Sequence, residues 1–370
     1  MSVPEPDTYA LKTTAVASIP APDLPYQPPM PRHYRPRIGV IGAGGIAAAH
    51  LDAYRSAGWD VAAICNRSLA KAEARAQEFY PKARISSDFN DILSDLAIDV
   101  VDINPHPADR LPMIEAALKA GKHVLSQKPF VLDLAEGARL VQLARDTGVK
   151  LAVNQNGRWA PHLSWMREAV RAGLIGEVTG VQIAIHWNHG WIAGTAFERI
   201  EDLILYDFGI HWFDFLVSLL GKGRVKSLFA MAGKACGQKA AVPLAAQVLL
   251  RMDGGQASLI FDGAAAHGPR DTSQITGTKG SLRSDGPDLG VQQVTLTTAA
   301  GQASPALQGT WFNDGFRGAM GALLVAIEQG SEPANGAEEN LESLALAFAA
   351  IASRRRGREV AVAEVSRIEF

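Results

Sequence analysis

A short stretch near the start, Arg37-Ile-Gly-Val-Ile-Gly-Ala-Gly-Gly-Ile-Ala-Ala-Ala-His50, leaves this chain few folds to choose from. Its apolar opening, residues 38–41, reads as a strand buried on both faces. Glycine and alanine at 42–47 follow, and then an Ala-rich helix to about Ala57. Strand, glycine turn and helix start in that order form the dinucleotide fingerprint. Gly42 permits the tight turn, and Gly44 leaves room for a backbone to approach a pyrophosphate. Ala47 lets the helix lie close to the strand, so that first-turn amides, with Gly45 and Ile46 leading in, face the anion.

At 370 residues the chain exceeds one ordinary core, so two domains are expected. A composition of 47% hydrophobic and 20% charged residues, with net charge -2, suits a globular enzyme of the cytoplasm. It offers nucleic acid or an anionic membrane no electrostatic handle. Cys65 and Cys236 are far apart, the histidines lack metal-ligand spacing, and no apolar run spans a bilayer, so neither a metal site nor a membrane partner is expected.

Residues 1–35 form a proline-rich arm without secretory features. Two readings stand: a disordered tail, or an extended arm packing on a neighbouring subunit through Tyr9, Leu11, Tyr26, Met30 and Tyr34. Over residues 36–155 strands at 38–41, 61–65, 84–86, 100–103, 123–126 and 151–154 alternate with helices at 70–79, 89–95, 111–120 and 134–147. That alternation predicts an α/β Rossmann domain with a doubly wound parallel sheet. Ligands bind beyond the carboxyl ends of such strands. Here those ends carry the glycine turn, Asn66, Arg67, Ser68, Asn104, Pro105, His106, Gln127 and Lys128, which become the candidate cofactor-binding residues. After Cys65 no carboxylate stands ready for a ribose 2′-hydroxyl. Arg67 and Ser68 instead suit a 2′-phosphate, so NADP is expected ahead of NAD, unless Arg67 is only a solvated charge.

Residues 156–370 change character. Helices are expected at 159–172, 211–220, 316–329 and 338–355, and long β-type runs at 178–187, 224–232, 244–252, 256–261, 274–278 and 291–297. This predicts an α+β domain with a large, mainly antiparallel open sheet of about six strands.

Lys128, before Pro129, stands at the cleft edge where an ammonium can donate to a substrate oxygen; a cis bond to Pro129 is one option. Asp207 and His211 are spaced i, i+4, so on a helix the carboxylate would orient an imidazole base. The plainer alternative is a capping Asp207 and a satisfied His211. Asn156, Arg158, Trp187 and Trp191 suit a polyhydroxylated ligand, although tryptophans at alternate strand positions equally serve a core. His267 and Arg270, on a glycine-bearing loop, are further candidates for the cleft.

Over residues 36–365 the chain resembles the glucose–fructose oxidoreductase / inositol dehydrogenase / MocA family. The likeness rests on residues 42–47, on Ala117-Leu-Lys-Ala-Gly-Lys-His-Val-Leu-Ser-Gln-Lys-Pro-Phe130 and on Asp207-x-Gly-x-His211. It implies hydride transfer between a nicotinamide and a sugar, cyclitol or related polyol, and homodimers or homotetramers formed through the open sheet. Lys128, Asp207 and His211 match the family's catalytic positions, and Asn156 and Arg158 fall where substrate-facing residues lie. Gln127 departs from the family's Glu, and the histidine after the fourth strand is missing. The expectation is an aldose dehydrogenase oxidising C1 to a lactone. The alternatives are a cyclitol or keto-sugar dehydrogenase, and a non-catalytic NADP-binding sensor.

Overall fold

Two sheets carry the chain in the computed structural model, which describes residues 16–368. The first holds β1 (Arg37–Ile41), β2 (Asp60–Cys65), β3 (Arg84–Ser86), β4 (Val100–Ile103), β5 (His123–Ser126) and β6 (Leu151–Val153), all parallel, in the order β3-β2-β1-β4-β5-β6. β4 is buried throughout and β1 along all but its first residue, which is why both read as short apolar runs, interrupted in β4 by Asp102. The order reverses between β1 and β4, and a crevice opens there beyond the strand ends.

Helices α1 (Ala47–Ser56), α2 (Leu69–Phe79), α3 (Asn90–Leu93), α4 (Pro107–Lys119) and α5 (Leu134–Asp146) connect these strands. α4 begins before the expected residue 111 because Pro107 occupies its first turn, where a missing N–H costs nothing. α5 is capped by Asp133, whose carboxylate accepts from Ala135 N at 2.7 Å.

After α6 (Pro161–Arg171) the chain builds the second sheet from β7 (Val178–His186) and, beyond α7 (Ile210–Leu220), β8 (Val225–Gly233), β9 (Ala245–Met252), β10 (Gly255–Asp262), β11 (Arg270–Gly277), β12 (Gly280–Asp288), β13 (Val291–Thr298), β14 (Gly301–Ala303) and β15 (Val360–Ala361). The order is β14-β13-β12-β11-β7-β10-β9-β8-β15, antiparallel except where β7 meets β10. Nine strands replace the expected six. β14 and β15 are too short to show a pattern, and β12 hides behind Arg283, Asp285, Gly286 and Pro287. One sheet face packs on α6 and α9 (Ala337–Arg356), with Trp212 of α7 against Phe261 of β10; the other carries exposed Phe229, Met231 and Leu249.

α8 (Trp311–Gln329) leaves this layer and lies on α1. Its Phe316, Met320, Leu323 and Leu324 share one core with Ile38, Val40, Leu51 and Tyr54. Full burial of each such side chain stabilises by roughly 1.5–3 kcal/mol. Close approach depends on glycine: a Cβ at Gly318 would strike the Trp159 ring, and one at Gly321 the carbonyl of Pro29.

From residue 16 the arm is fixed on its own chain rather than loose. Ile19 N donates to Gln302 O at 2.9 Å beside β14, and Ser164 Oγ donates to Tyr26 O at 2.7 Å. The Glu328 carboxylate accepts from the backbone N–H groups of Arg32, His33 and Tyr34 at 3.0, 2.6 and 2.8 Å. Of the expected anchors, Tyr26 and Tyr34 pack on the cores, Met30 is exposed, and Tyr9 and Leu11 lie outside the described residues.

Candidate active site

The turn after β1 is built as its glycines require. Gly42 has φ +97°, and a Cβ there would meet Pro105 and Asn104 at 3.0 and 3.2 Å. Gly44 and Gly45 face open space, and α1 begins with neither a side-chain cap nor an acidic residue. Ala48 N and Ala49 N bond back to Gly45 O and Ile46 O, which leaves the Ala47 N–H, with those of Gly44, Gly45 and Ile46 before it, for an anion. Asn66 steadies this turn from β2, accepting from Ala43 N at 3.1 Å and donating to Ser68 O at 3.1 Å.

A cleft of about 900 Å³ runs from this turn across the strand ends. It is lined by Gly42, Gly44, Gly45, Ile46, Asn66, Arg67, Asn104, Pro105, His106, Gln127 and Lys128, and on its far side by Trp191, Tyr206 and Asp207. Ser68 is not on its wall; it stands at the N-cap position of α2. Arg67 reaches over the mouth to Asp109 at 3.6 Å. Both side-chain polar atoms of Asn104 are buried without a partner. Bare glycines, uncapped amides and this unmet amide are what a dinucleotide would need in a cleft of this length.

The Lys128–Pro129 peptide is cis. Lys128 Nζ donates to the backbone oxygen of Asp207 at 2.8 Å and to its Oδ1 at 3.1 Å. Asp207 belongs to a π turn, Ile204–Phe208, closed by Gly209 N donating to Ile204 O at 2.9 Å. That wider turn displaces the i, i+4 alignment expected of an α-helix. The carboxylate goes to Lys128, and no hydrogen bond joins Asp207 to His211. His211, in the first turn of α7, is partly exposed, while its Nδ1 is enclosed without a partner. Burial, and then the Lys128 charge, hold its imidazole well below the ordinary range. The ring is fixed edge-on by Trp311 at 5.5 Å and Trp212 at 6.0 Å between centroids.

Three expected substrate contacts are occupied elsewhere. Asn156 Oδ1 accepts from Trp311 Nε1 at 2.9 Å and so braces the indole against His211. Arg158 points away from the cleft into a buried cluster, donating to both Asp214 oxygens at 2.6 and 2.8 Å, with Glu339 at 3.2 Å. Trp187 stacks on Phe208 at 3.6 Å and donates from Nε1 to His189 Nδ1 at 3.0 Å. Trp191, 58% exposed, does line the cleft. Arg270 lies in β11 with its guanidinium on Asp285, and His267 is exposed, so neither lines the cleft. Sequence reasoning missed Trp311, Phe197, Ile200 and Met113; only a cluster of aromatic residues, Trp311-Phe312, hinted at the first.

No group of His, Cys, Asp or Glu among the described residues can hold a metal, and no helix among them is long and apolar enough to cross a membrane.

Fold and cleft together define a dinucleotide-binding protein of the Rossmann type. Residues 36–155 match the model of the oxidoreductase family with an NAD-binding Rossmann fold, and residues 163–283 match the GFO/IDH/MocA C-terminal domain. The chain belongs to the GFO/IDH/MocA oxidoreductase family. It is 28% identical to a D-apiose dehydrogenase of Paraburkholderia graminis over 87% of this chain and 88% of that protein. It is equally 28% identical to an inositol 2-dehydrogenase of Rhizobium meliloti, over 88% and 99%. The structure of an oxidoreductase from Agrobacterium radiobacter, solved with NAD+, L-tartaric acid and magnesium, shares the fold at TM-score 0.80 and 22% identity, over 89% of this chain and 99% of that one.

Proposed function

We propose that this protein oxidises a sugar, first an aldose at C1 to its lactone, with NADP preferred to NAD. The observation that carries the reading is the Lys128–Asp207 pair on the wall of a cleft that begins at the glycine turn. When bound, the nicotinamide supplies the hydride acceptor. Lys128 donates to the hydroxyl oxygen of the substrate, and Asp207 holds that ammonium in place. His211, kept neutral by burial, takes the hydroxyl proton through Nε2, since Nδ1 is enclosed. Trp191 offers an aromatic face to the sugar ring. Arg67 would meet a 2′-phosphate after releasing Asp109. A relative named for the aldose D-apiose supports the first choice of substrate; one named for inositol keeps a cyclitol as the second. The exposed Phe229, Met231 and Leu249 support a homodimer or homotetramer through the open sheet face.

The test is nicotinamide reduction by the purified protein against aldoses, ketoses and cyclitols, with NADP and with NAD. Lys128→Met and His211→Ala are expected to lower kcat at least about a hundredfold. Wild-type silence on every polyol, with cofactor bound, would refute the reading.

A further inference from the structure

Beneath Lys128 lies a polar cluster that the chemistry above does not use. His50 and Tyr54 of α1, Asp102 of β4, Gln127 and Asn154 are each 5% exposed or less. Their donors decide how each is oriented. The backbone N–H of Lys128 can only donate, and its acceptor is Gln127 Oε1 at 2.6 Å. Gln127 Nε2 therefore turns to His50 Nε2, 3.1 Å away. Asn154 Nδ2 donates to the same Oε1 at 3.3 Å and reaches the same ring nitrogen at 3.1 Å. A nitrogen facing two amide N–H groups is an acceptor, so the ring proton of His50 sits on Nδ1. That atom faces Asp102 Oδ2 at 2.8 Å, and the Tyr54 hydroxyl donates to the same oxygen at 2.8 Å.

We propose that Gln127 is a positioning residue, tying the main chain of Lys128 to the buried His50–Asp102 pair. Both ends of its amide are engaged inside the protein, so it acts through Lys128 and not as a cofactor ligand. Its neutrality matters as much as its reach. A carboxylate at 127 could not donate to His50 Nε2. It would draw a second proton onto the ring and set another negative charge beside the Lys128–Asp207 pair. The inference rests on the reading of Lys128 as the group that meets the substrate oxygen.

Two variants and two readouts test it. In the folded protein, 15N shifts of the His50 imidazole, assigned by comparison with His50→Asn, are expected to show protonated Nδ1 and bare Nε2. Gln127→Glu, the isostere, is expected to protonate Nε2. In kinetics Gln127→Met and Gln127→Glu should each lower kcat by about tenfold or more while the KM for nicotinamide moves by less than about threefold. The kcat/KM–pH profile of Gln127→Glu should gain an ionisation. A protonated Nε2 in the wild type would overturn the proposal. So would full turnover in both variants, or a loss confined to the KM for nicotinamide. If Gln127→Met does not fold, the Glu isostere still decides. Absence of wild-type turnover would count against the functional reading, whereas the imidazole spectrum judges the cluster alone.

Discussion

Asp271 and His162 form a buried polar pair between β11 and α6, and stability should depend on pH through them. Each is 2% exposed, and His162 Nε2 lies 4.0 Å from Asp271 Oδ2. The hydroxyls of Ser273 and Ser284, paired across β11 and β12, are buried nearby without partners. Burial, then the charges of Asp288 and Asp285, push the Asp271 carboxyl from 3.8 up to about 8. Burial pushes His162 from 6.5 down to about 3. Between about pH 4 and 6.5 the unfolded chain holds a proton on His162 and the folded chain one on Asp271, so the pair adds no slope. Above 6.5 the unfolded pair holds none, while the folded one keeps its proton until about 8. Stability then falls with rising pH by about 1.4 kcal/mol per unit, or about 2 kcal/mol in all. Asp271→Asn removes that proton. The variant should be flat above pH 6.5 and should lose about 1.4 kcal/mol per unit as pH falls below it, because the unfolded histidine takes a proton that the folded one refuses. Guanidinium midpoints at fixed protein concentration, from pH 5 to 8, measure both curves. Parallel curves for the two proteins would refute the reasoning.

Two other outcomes follow from charges already placed. Arg67→Ala should lower kcat/KM with NADP by about tenfold or more beyond its effect with NAD, the cost of a charge-assisted bond; equal losses would remove Arg67 from the phosphate site. Asp214→Asn leaves the buried Arg158 guanidinium short of its main countercharge and should cost about 3 kcal/mol or more in denaturant unfolding, while a change below about 1 kcal/mol would show that Glu339 alone suffices.

The parallel sheet was legible because its code is local. Short apolar strands end in glycine or polar residues, and the Gly42 turn can be read from three small residues. The helix boundaries missed at α4 and α8 began with residues that hide a start, Pro107 in one and bulky Trp311 in the other. Side-chain direction was not legible. Asn156 and Arg158 lie in a 3-10 turn, where one residue more or less decides between cleft and core, and their partners Trp311 and Asp214 are remote in the chain. Asp207 turned to Lys128 because a π turn inserts a residue that spacing cannot reveal. The cluster of His50, Asp102, Gln127 and Asn154 is assembled by sheet order from helix α1 and the ends of three separate strands, so no local pattern announces it.

The return of α8 to the first sheet has a consequence for how the protein is made. Residues 36–155 leave the ribosome with the apolar surface around Ile38, Val40, Leu51 and Tyr54 lacking its cover, because Phe316, Met320, Leu323 and Leu324 are not yet translated. At roughly 5–20 residues per second the wait lasts on the order of ten to thirty seconds, long enough for that surface to meet a chaperone or another nascent chain. A gene cut after the Rossmann segment would make the wait permanent. The two sheets divide the labour of the enzyme, yet they are not separable goods: the first half of the message encodes a nucleotide site that only the last quarter can close.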